Sequence, residues 1–246
     1  SDPANLIQDY SSQEIENKFR YEQVYRNDFF KLVFGAGIED VTYTNSTFNK
    51  IVISSGPVTV DFNSELRFLK MGAFVQASKA FLEERLTVSA GLRTDWNTYS
   101  TIMMRAQDQL SPRVSLSYDI TEHVSVNMST GRYFQLPAYT VMGFRNTNGD
   151  LVNKANQIRY IRCDHLTGGF EFNTSKNSRF TIEGFYKWYD FYPFQLNDSI
   201  SLANLGADFG IIGNEAVKSI SEGRSYGVEF LAQQKLLKGF YGILAL

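Results

Sequence analysis

Residues 85–96 read RLTVSAGLRTDW, and residues 113–120 read RVSLSYDI. In both stretches apolar residues alternate with polar ones, which is the pattern of a β-strand with one apolar and one polar face. The same alternation runs through residues 15–25, 180–188 and 225–233. The sequence therefore predicts an all-β chain built from strands with two different faces.

The alternation predicts about ten long strands that run up and down as an antiparallel meander. They lie at residues 14–26, 29–43, 66–80, 84–98, 111–121, 123–134, 160–174, 178–191, 223–236 and 239–246. Short connections near residues 27–28, 81–83, 122, 175–177 and 237–238 alternate with long ones near 44–65, 99–110, 135–159 and 192–222. All short turns then fall on one rim and all long loops on the other, as in outer-membrane barrels with short periplasmic turns and long external loops.

The composition excludes several other classes of protein. Lys plus Arg number 24 against 26 Asp plus Glu, so a net charge of −2 offers no basic surface for nucleic acid. One Cys cannot form an internal disulfide, and with two His it falls short of the usual zinc ligand set. We therefore expect no metal site and no cofactor. No apolar run reaches the roughly 18 residues of a membrane-spanning helix.

Two environments explain a strand with two different faces. In an outer-membrane barrel the apolar face meets lipid and the polar face lines the lumen, whereas in a soluble sandwich the apolar face packs into a core. Aromatic residues near predicted strand ends suit the interfacial girdles of a barrel: Tyr25, Trp96, Tyr118, Phe134, Tyr160, Trp188 and Tyr226. Aromatics are also common in ordinary strands, so the pattern alone leaves both environments open.

Two pairs of motifs favour the barrel. The first pair is LSPRVSLSY at residues 110–118 and VNMSTGRYFQLPAY at residues 126–139. The second pair is GRSYGVEF at residues 223–230 and KGFYG at residues 238–242. In this order and spacing, the motifs resemble the barrel of TonB-dependent outer-membrane receptors.

The resemblance implies a fold that is larger than this chain. Barrels of that family have about 22 strands around a plug domain. We therefore expect residues 1–246 to be a partial TonB-dependent receptor β-barrel domain, truncated at both ends, with the plug absent. The fold class expected is all-β, a partial slice of a larger outer-membrane β-barrel.

The resemblance also implies a function and partners. A receptor of this kind sits in the bacterial outer membrane and takes up a scarce ligand, such as a siderophore-bound metal, a vitamin or an oligosaccharide. Energy reaches it through the TonB complex, and no covalent chemistry is involved, so we expect no enzyme. The expected partners are outer-membrane lipid, the receptor's own plug, the TonB complex and the small-molecule or oligosaccharide ligand.

Two alternatives remain open at this point: a complete ten-stranded outer-membrane barrel hydrolase and a soluble β-sheet binding module. Cys163 and His165 share one strand face, but no third group that would orient a nucleophile is evident. Asp198, Asp208 and Glu215 are scattered through a polar loop, as solvated carboxylates usually are. We therefore assign no catalytic residues.

The long loops are the best candidates for ligand contact, because they combine aromatic rings with hydrogen-bonding groups. The candidate residues are Tyr139, Phe144, Arg145 and Asn146 in the loop at 135–159, and Tyr192, Phe194, Asn197, Asn204 and Phe209 in the loop at 192–222.

Overall fold

The computed structural model describes residues 6–53, 56–174, 177–205, 213–237 and 239–246. Its strands are β1 (Gln8–Arg26), β2 (Lys31–Ile53), β3 (Gly56–Phe81), β4 (Leu86–Asn97), β5 (Ser111–Asp119), β6 (Val124–Gln135), β7 (Ile161–Asn173), β8 (Ser178–Gln195), β9 (Val217–Leu237) and β10 (Phe240–Ala245). Each strand pairs antiparallel with the next in chain order. The prediction of an all-β meander of about ten long strands is confirmed.

The ten strands form one open sheet and do not close into a barrel. Its strand order runs from β1 to β10 without a crossover, and these two strands form its edges in the described part of the chain. This is the arrangement expected of a slice of a larger barrel, and it contradicts the alternative of a complete ten-stranded barrel.

Strands β2 and β3 are much longer than predicted. Their register continues from Lys31↔Ser78 to Ile53↔Gly56, so the long loop predicted at residues 44–65 is wrong. Residues 44–50 are mostly polar, and the sequence reading required an apolar face on every strand. The two segments pair with each other along their whole length without such a face, and here Tyr43, Asn45 and Thr47 are buried under loops.

The loop predicted at residues 192–222 is also too long. Strand β8 continues to Gln195 and β9 begins at Val217, so the connection spans residues 196–216. A register shift after Tyr189 interrupts the simple alternation that the sequence reading followed.

The two faces of the sheet are sharply different. We call the face covered by the loops the inner face and the opposite one the outer face. The outer face of β9 carries Tyr226 and Val228, whose exposed fractions are 70% and 68%. Other large apolar side chains exposed on the outer face are Phe19, Phe34, Leu92, Val114, Met128, Leu166, Phe170, Ile182 and Trp188.

The apolar core lies between the inner face and the long connections. Val41, Tyr43, Leu66 and Phe68 of β2 and β3 are buried there. The loop side chains that cover them are Tyr99, Met103, Val141, Met142, Ile158, Tyr160 and Leu202. Tyr160 is therefore a core residue, and its placement in an interfacial girdle was wrong.

Two short helices shape the connection between β6 and β7. Helix α1 spans Tyr139–Gly143 and helix α2 spans Val152–Ala155. Within the described residues, neither helix has the length and apolar character needed to cross a membrane.

Candidate functional site

The inner face and helix α1 enclose a cleft of about 780 Å³ on the side of the long connections. Charged side chains of both signs line it: Glu14, Glu16, Lys18, Arg20, Glu39, Lys70, Arg93, Asp95 and Arg113. Its volume lies within the range of small-molecule sites, about 300–1,000 Å³. We call this space the inner cleft.

Strand register brings the charges of the inner cleft together. Lys18 of β1 lies opposite Glu39 of β2, which lies opposite Lys70 of β3. Residues two apart on one strand share a face, so Glu16 and Arg20 join Lys18 on the inner side. Opposite charges therefore alternate across neighbouring strands, an arrangement that stabilises the sheet.

Lys70 is the centre of an ion network. Its Nζ lies 2.8 Å from Oε1 of Glu16 and 2.7 Å from Oε2 of Glu39. Lys18 contacts the other oxygen of Glu16, with Nζ 2.5 Å from Oε2. The Lys70 and Glu16 side chains are only 23% and 22% exposed, so these pairs are screened less than surface pairs are.

Gly72 makes room for a second ion pair. Arg93 and Asp95 of β4 pair with each other beside it, with Arg93 Nε donating to Asp95 Oδ2 at 2.7 Å. A Cβ on Gly72 would lie 2.7 Å from Asp95 Oδ1 and 3.1 Å from an Arg93 nitrogen. A larger residue at position 72 would therefore displace this pair from the wall of the cleft.

Tyr139 connects the loop to the ion network. Its hydroxyl donates to Glu16 Oε1 at 2.6 Å and accepts from Lys70 Nζ at 3.1 Å. Burial, together with the nearby Glu16 carboxylate, raises the pKa of Tyr139 to about 12. Helix α1 is thereby held against β1 and β3 by groups that sit directly at the cleft.

We predict that Tyr139→Phe loosens helix α1. Losing one partly exposed hydrogen bond to a charged acceptor costs about 1 kcal/mol, which corresponds to roughly fivefold more opening of the loop. Limited proteolysis of the loop at residues 136–160 measures the opening. Tyr226→Phe removes the same atom from the outer face and leaves the cleavage rate unchanged, and equal rates in both variants would contradict the role of Tyr139.

The raised pKa of Tyr139 also sets the pH range over which its hydrogen bonds stabilise the loop. An unfolded tyrosine ionises near pH 10, whereas Tyr139 in the folded protein ionises near 12. The stabilisation is therefore complete below about pH 10 and is lost as the pH rises toward 12. In a spectrophotometric difference titration between wild type and Tyr139→Phe, one phenol should ionise near pH 12; a midpoint near 10 would show an unengaged hydroxyl.

A buried amide joins the two largest loops. Asn153 of α2 is fully buried, and its Nδ2 donates to the carbonyl oxygens of Val141 and Glu215 at 2.7 and 2.9 Å. Its Oδ1 accepts from the backbone N–H of Val217 at 2.8 Å. One side chain therefore holds α1, the connection at residues 196–216 and the start of β9 together.

Two tyrosines complete the attachment of the loops. The hydroxyl of Tyr99 donates to the carbonyl oxygen of Met142 at 2.8 Å, and Asn97 Nδ2 donates to the hydroxyl of Tyr160 at 2.8 Å. Burial raises the pKa values of both phenols, that of Tyr160 to about 12. Both phenols therefore stay neutral at ordinary pH, as buried hydrogen-bonding groups should.

Among the predicted ligand residues of the first loop, the structure brings only Tyr139 into the lining of the inner cleft. Phe144 packs edge-on against Phe62, with ring centroids 5.6 Å apart. Arg145 donates to the carbonyl oxygens of Gly149 and Glu65 and lines a separate shallow polar depression beside β2 and β3. Asn146 shapes the turn by accepting from the backbone of Asn148 and Asp150.

The predicted residues of the second loop are dispersed. Tyr192 packs on the apolar core, and the backbone of Phe194 forms an isolated antiparallel β-bridge with Ser201. Asn197 and Asn204 are exposed. Phe209 lies outside the described residues.

Sequence reasoning missed the charged residues of the strands that line the cleft. Their signal was present, because Glu16, Lys18 and Arg20 occupy alternate positions on the polar face of the first strand. The register that sets Glu39 and Lys70 beside them could not be read from one sequence.

The residues that were considered for chemistry in the sequence belong to β7 and to the connection at residues 196–216. No group of three or more His, Cys, Asp and Glu side chains in that part of the chain is arranged to hold a metal ion. Cys163 and His165 lie on the inner face of β7, where Tyr133 contacts the His165 ring. Glu215 is buried in the loops and burial raises the pKa of its carboxyl, while Asp208 lies outside the described residues.

An apolar outer face, a charged inner face and loops gathered on one rim together define part of the wall of a transmembrane β-barrel. A sequence model of the family described as "TonB dependent receptor-like, beta-barrel" matches residues 2–245. The chain therefore belongs to the TonB-dependent receptor-like barrel family. No curated protein matches the chain.

Solved structures share the fold. The siderophore receptor PirA from Pseudomonas aeruginosa has a TM-score of 0.62 and 15% identity, covering 92% of this chain and 38% of that one. The ferripyoverdine receptor of the outer membrane of Pseudomonas aeruginosa, bound to ferripyoverdine, has a TM-score of 0.63 and 12% identity. The match covers 95% of this chain and 32% of that one. The copper transporter OprC has a TM-score of 0.59 and 18% identity, covering 93% and 37%. The chain thus spans about a third of the length of these proteins, and the likeness concerns the fold alone.

Proposed function

We propose that this chain forms part of a bacterial outer-membrane receptor that captures a scarce ligand and imports it with energy from the TonB complex. The ligand is a metal chelate such as a siderophore, a vitamin or an oligosaccharide. The other partners are outer-membrane lipid and the receptor's own plug domain. The protein acts by binding and transport, without catalysis or a cofactor.

The inner cleft is the observation that carries this proposal. It lies on the rim of the long loops, and its lining alternates cations and carboxylates with the phenols of Tyr139 and Tyr160. Such a lining suits a ligand that is polar, rich in hydrogen-bonding groups and partly aromatic. Names such as siderophore receptor and copper transporter among proteins of the same fold support a nutrient ligand.

Whole-cell uptake tests the proposal. Cells that lack the receptor gene are complemented with the full-length receptor and offered labelled ferric chelates, cobalamin and oligosaccharides in turn. We expect saturable accumulation of one ligand class, and loss of accumulation but not of surface binding when a protonophore collapses the inner-membrane gradient. Uptake that continues with the protonophore, or no uptake of any class, would overturn the proposal.

A matched pair of variants connects uptake to the cleft. Lys70→Met removes the central cation, so that Glu16 keeps only Lys18 and Tyr139 as partners and Glu39 keeps only a longer 3.8 Å contact with Lys18. We therefore expect weaker ligand binding by the assembled receptor. Lys187→Met removes a cation from the inner face of β8, away from the cleft, and should bind normally. Normal binding by Lys70→Met would remove the cleft from the proposed ligand path.

A further inference from the structure

Three buried side chains have polar atoms without hydrogen-bond partners where the connection at residues 196–216 meets β8 and β9. They are Gln195, Asn214 and Glu215, whose exposed fractions are 4%, 6% and 9%. The atoms concerned are Oε1 of Gln195, Nδ2 of Asn214 and Oε2 of Glu215. Buried polar atoms nearly always have a partner, so three such atoms in one short region call for an explanation.

Backbone pairing brings Glu215 and Gln195 to the same face. Gln195 lies opposite Val217 in the ladder of β8 and β9. The N–H of Leu196 donates to the carbonyl oxygen of Ala216 at 3.0 Å, which continues the pairing. Continued by one more residue, this register sets Glu215 diagonally across from Gln195, and diagonal neighbours lie about 7–8 Å apart. A single ion between the two side chains can therefore contact both.

A second carboxylate belongs to the adjoining turn. The N–H of Gln195 donates to the carbonyl oxygen of Ile200 at 2.8 Å and closes a turn that carries Asp198. Burial, and after it the charge of Asp198, raises the pKa of Glu215. Asp198 is therefore near enough to act on Glu215, and within the described residues neither carboxylate forms an ion pair.

The cations of the neighbouring elements do not compensate these carboxylates. Lys154 of α2 lies over the ring of Tyr99, with Nζ 5.6 Å from the centroid. The guanidinium of Arg159 lies 5.0 Å from the centroid of the Phe191 ring. Lys218 is exposed on the other face of β9. A buried carboxylate without a cation is costly, so the arrangement favours a bound positive ion.

The chemistry of the available oxygens selects the ion. Ca²⁺ takes about 6–8 oxygen ligands from carboxylates, amides, backbone carbonyls and water, in flexible geometry. Mg²⁺ needs a near-ideal octahedron, which an irregular turn does not supply. Both histidines and the cysteine lie elsewhere, at positions 123, 165 and 163, so the softer transition metals have no preferred ligand here.

We propose that Glu215, Gln195 and Asp198 bind one Ca²⁺ that fixes the connection at residues 196–216 to the sheet. Rotation of the Asn214 amide by 180° presents its oxygen to the ion in place of Nδ2. The set has two carboxylates and amide oxygens, so it differs from the groups of three or more His, Cys, Asp and Glu considered above. Because Asn153 donates to the carbonyl oxygen of Glu215, the ion also steadies helices α1 and α2 beside the inner cleft.

Isothermal titration of calcium chloride into the purified full-length receptor, first washed with a chelator, tests the site. We expect wild type to bind one more Ca²⁺ than Glu215→Gln does. Asp198→Asn removes an exposed carboxylate and should weaken binding at this site about tenfold, because affinity depends on the number of charged ligands. Asp61→Asn removes an exposed carboxylate from β3 and should bind like wild type.

Hydrogen exchange at the Leu196 amide separates ion binding from a merely structural role of Glu215. Ca²⁺ at 100 times its Kd should slow this exchange about hundredfold in wild type and leave Glu215→Gln unchanged. Without Ca²⁺, Glu215→Gln should exchange no faster than wild type, because the change removes an uncompensated buried charge. Faster exchange in the variant with and without Ca²⁺ alike would show a structural role only.

Equal Ca²⁺ binding by wild type and Glu215→Gln, or equal protection by Mg²⁺ at the same concentration, would also overturn the calcium site. Heat-dependent electrophoretic mobility verifies that each variant has assembled, and Asp198→Asn decides the question if Glu215→Gln does not assemble. Calcium binding is measured without any transported ligand, so failure of uptake in wild type counts against the transport proposal alone.

Discussion

Changing Val228 to Arg in the full-length receptor is expected to cost about 1–3 kcal/mol of barrel stability. Val228 is 68% exposed on the outer face, in the row with Gly184 and Gly168 and between Tyr226 and Phe230 of the same strand. This row lies inside the apolar band but only two residues from Tyr226, so the arginine should cost somewhat less than the roughly 2–4 kcal/mol of a midplane position and more than one at the interface. The fraction of heat-resistant folded barrel and the urea midpoint measure the loss.

Ser225→Arg is the matched control. Ser225 is exposed on the inner face of the same strand, so an arginine there points toward the wet side and should cost much less. Gly227 is a poorer control, because a Cβ there would lie 3.0 Å from the ring of Phe185. Equal loss of folded barrel at positions 225 and 228 would contradict the assignment of the two faces.

The second large effect is expected from Asn153→Ala. This change leaves the Val141 and Glu215 carbonyls and the Val217 N–H without partners in a buried place. Buried groups left unsatisfied cost about 1–3 kcal/mol each, so we expect about 3 kcal/mol overall and roughly a hundredfold more opening of the loops. Hydrogen exchange at helix α1 measures the opening, and ligand affinity should fall with it.

Asn197→Ala provides the comparison for Asn153→Ala. Asn197 is exposed, so its replacement should leave hydrogen exchange at helix α1 unchanged. Unaltered exchange in Asn153→Ala would mean that the loops are held by the apolar core alone. The strands of the sheet should keep their protection in both variants.

The sequence was most informative where the membrane imposes its pattern. Val88, Val114 and Val228 alternate with polar neighbours because one face meets lipid and the other does not, and this alternation predicted the strands. The alternation did not predict the outer part of the hairpin formed by β2 and β3. The extension of β2 and β3 past Tyr43 mixes polar residues such as Asn45 and Thr47 with apolar ones such as Phe62, so its strand character depends on pairing between two segments rather than on a local pattern.

The candidate site was harder to predict than the fold. Aromatic and polar loop residues such as Phe144 and Asn146 look suited to ligands in the sequence, but in the structure they pack or shape a turn. Glu16 and Lys70 come together from positions 54 residues apart, through strand register and the folding of helix α1 onto the sheet. The strand register and the packing of helix α1 onto the sheet each depend on long-range contacts that no single segment specifies.

A spin-label accessibility scan along residues 224–230 of β9, in the full-length receptor reconstituted in lipid, tests the facing of the sheet most directly. We expect strict alternation: labels at 226, 228 and 230 collide with oxygen dissolved in the acyl chains, and labels at 225 and 229 collide with a water-soluble relaxant. Alternation in the opposite phase, or uniform exposure to the water-soluble relaxant along the strand, would contradict it.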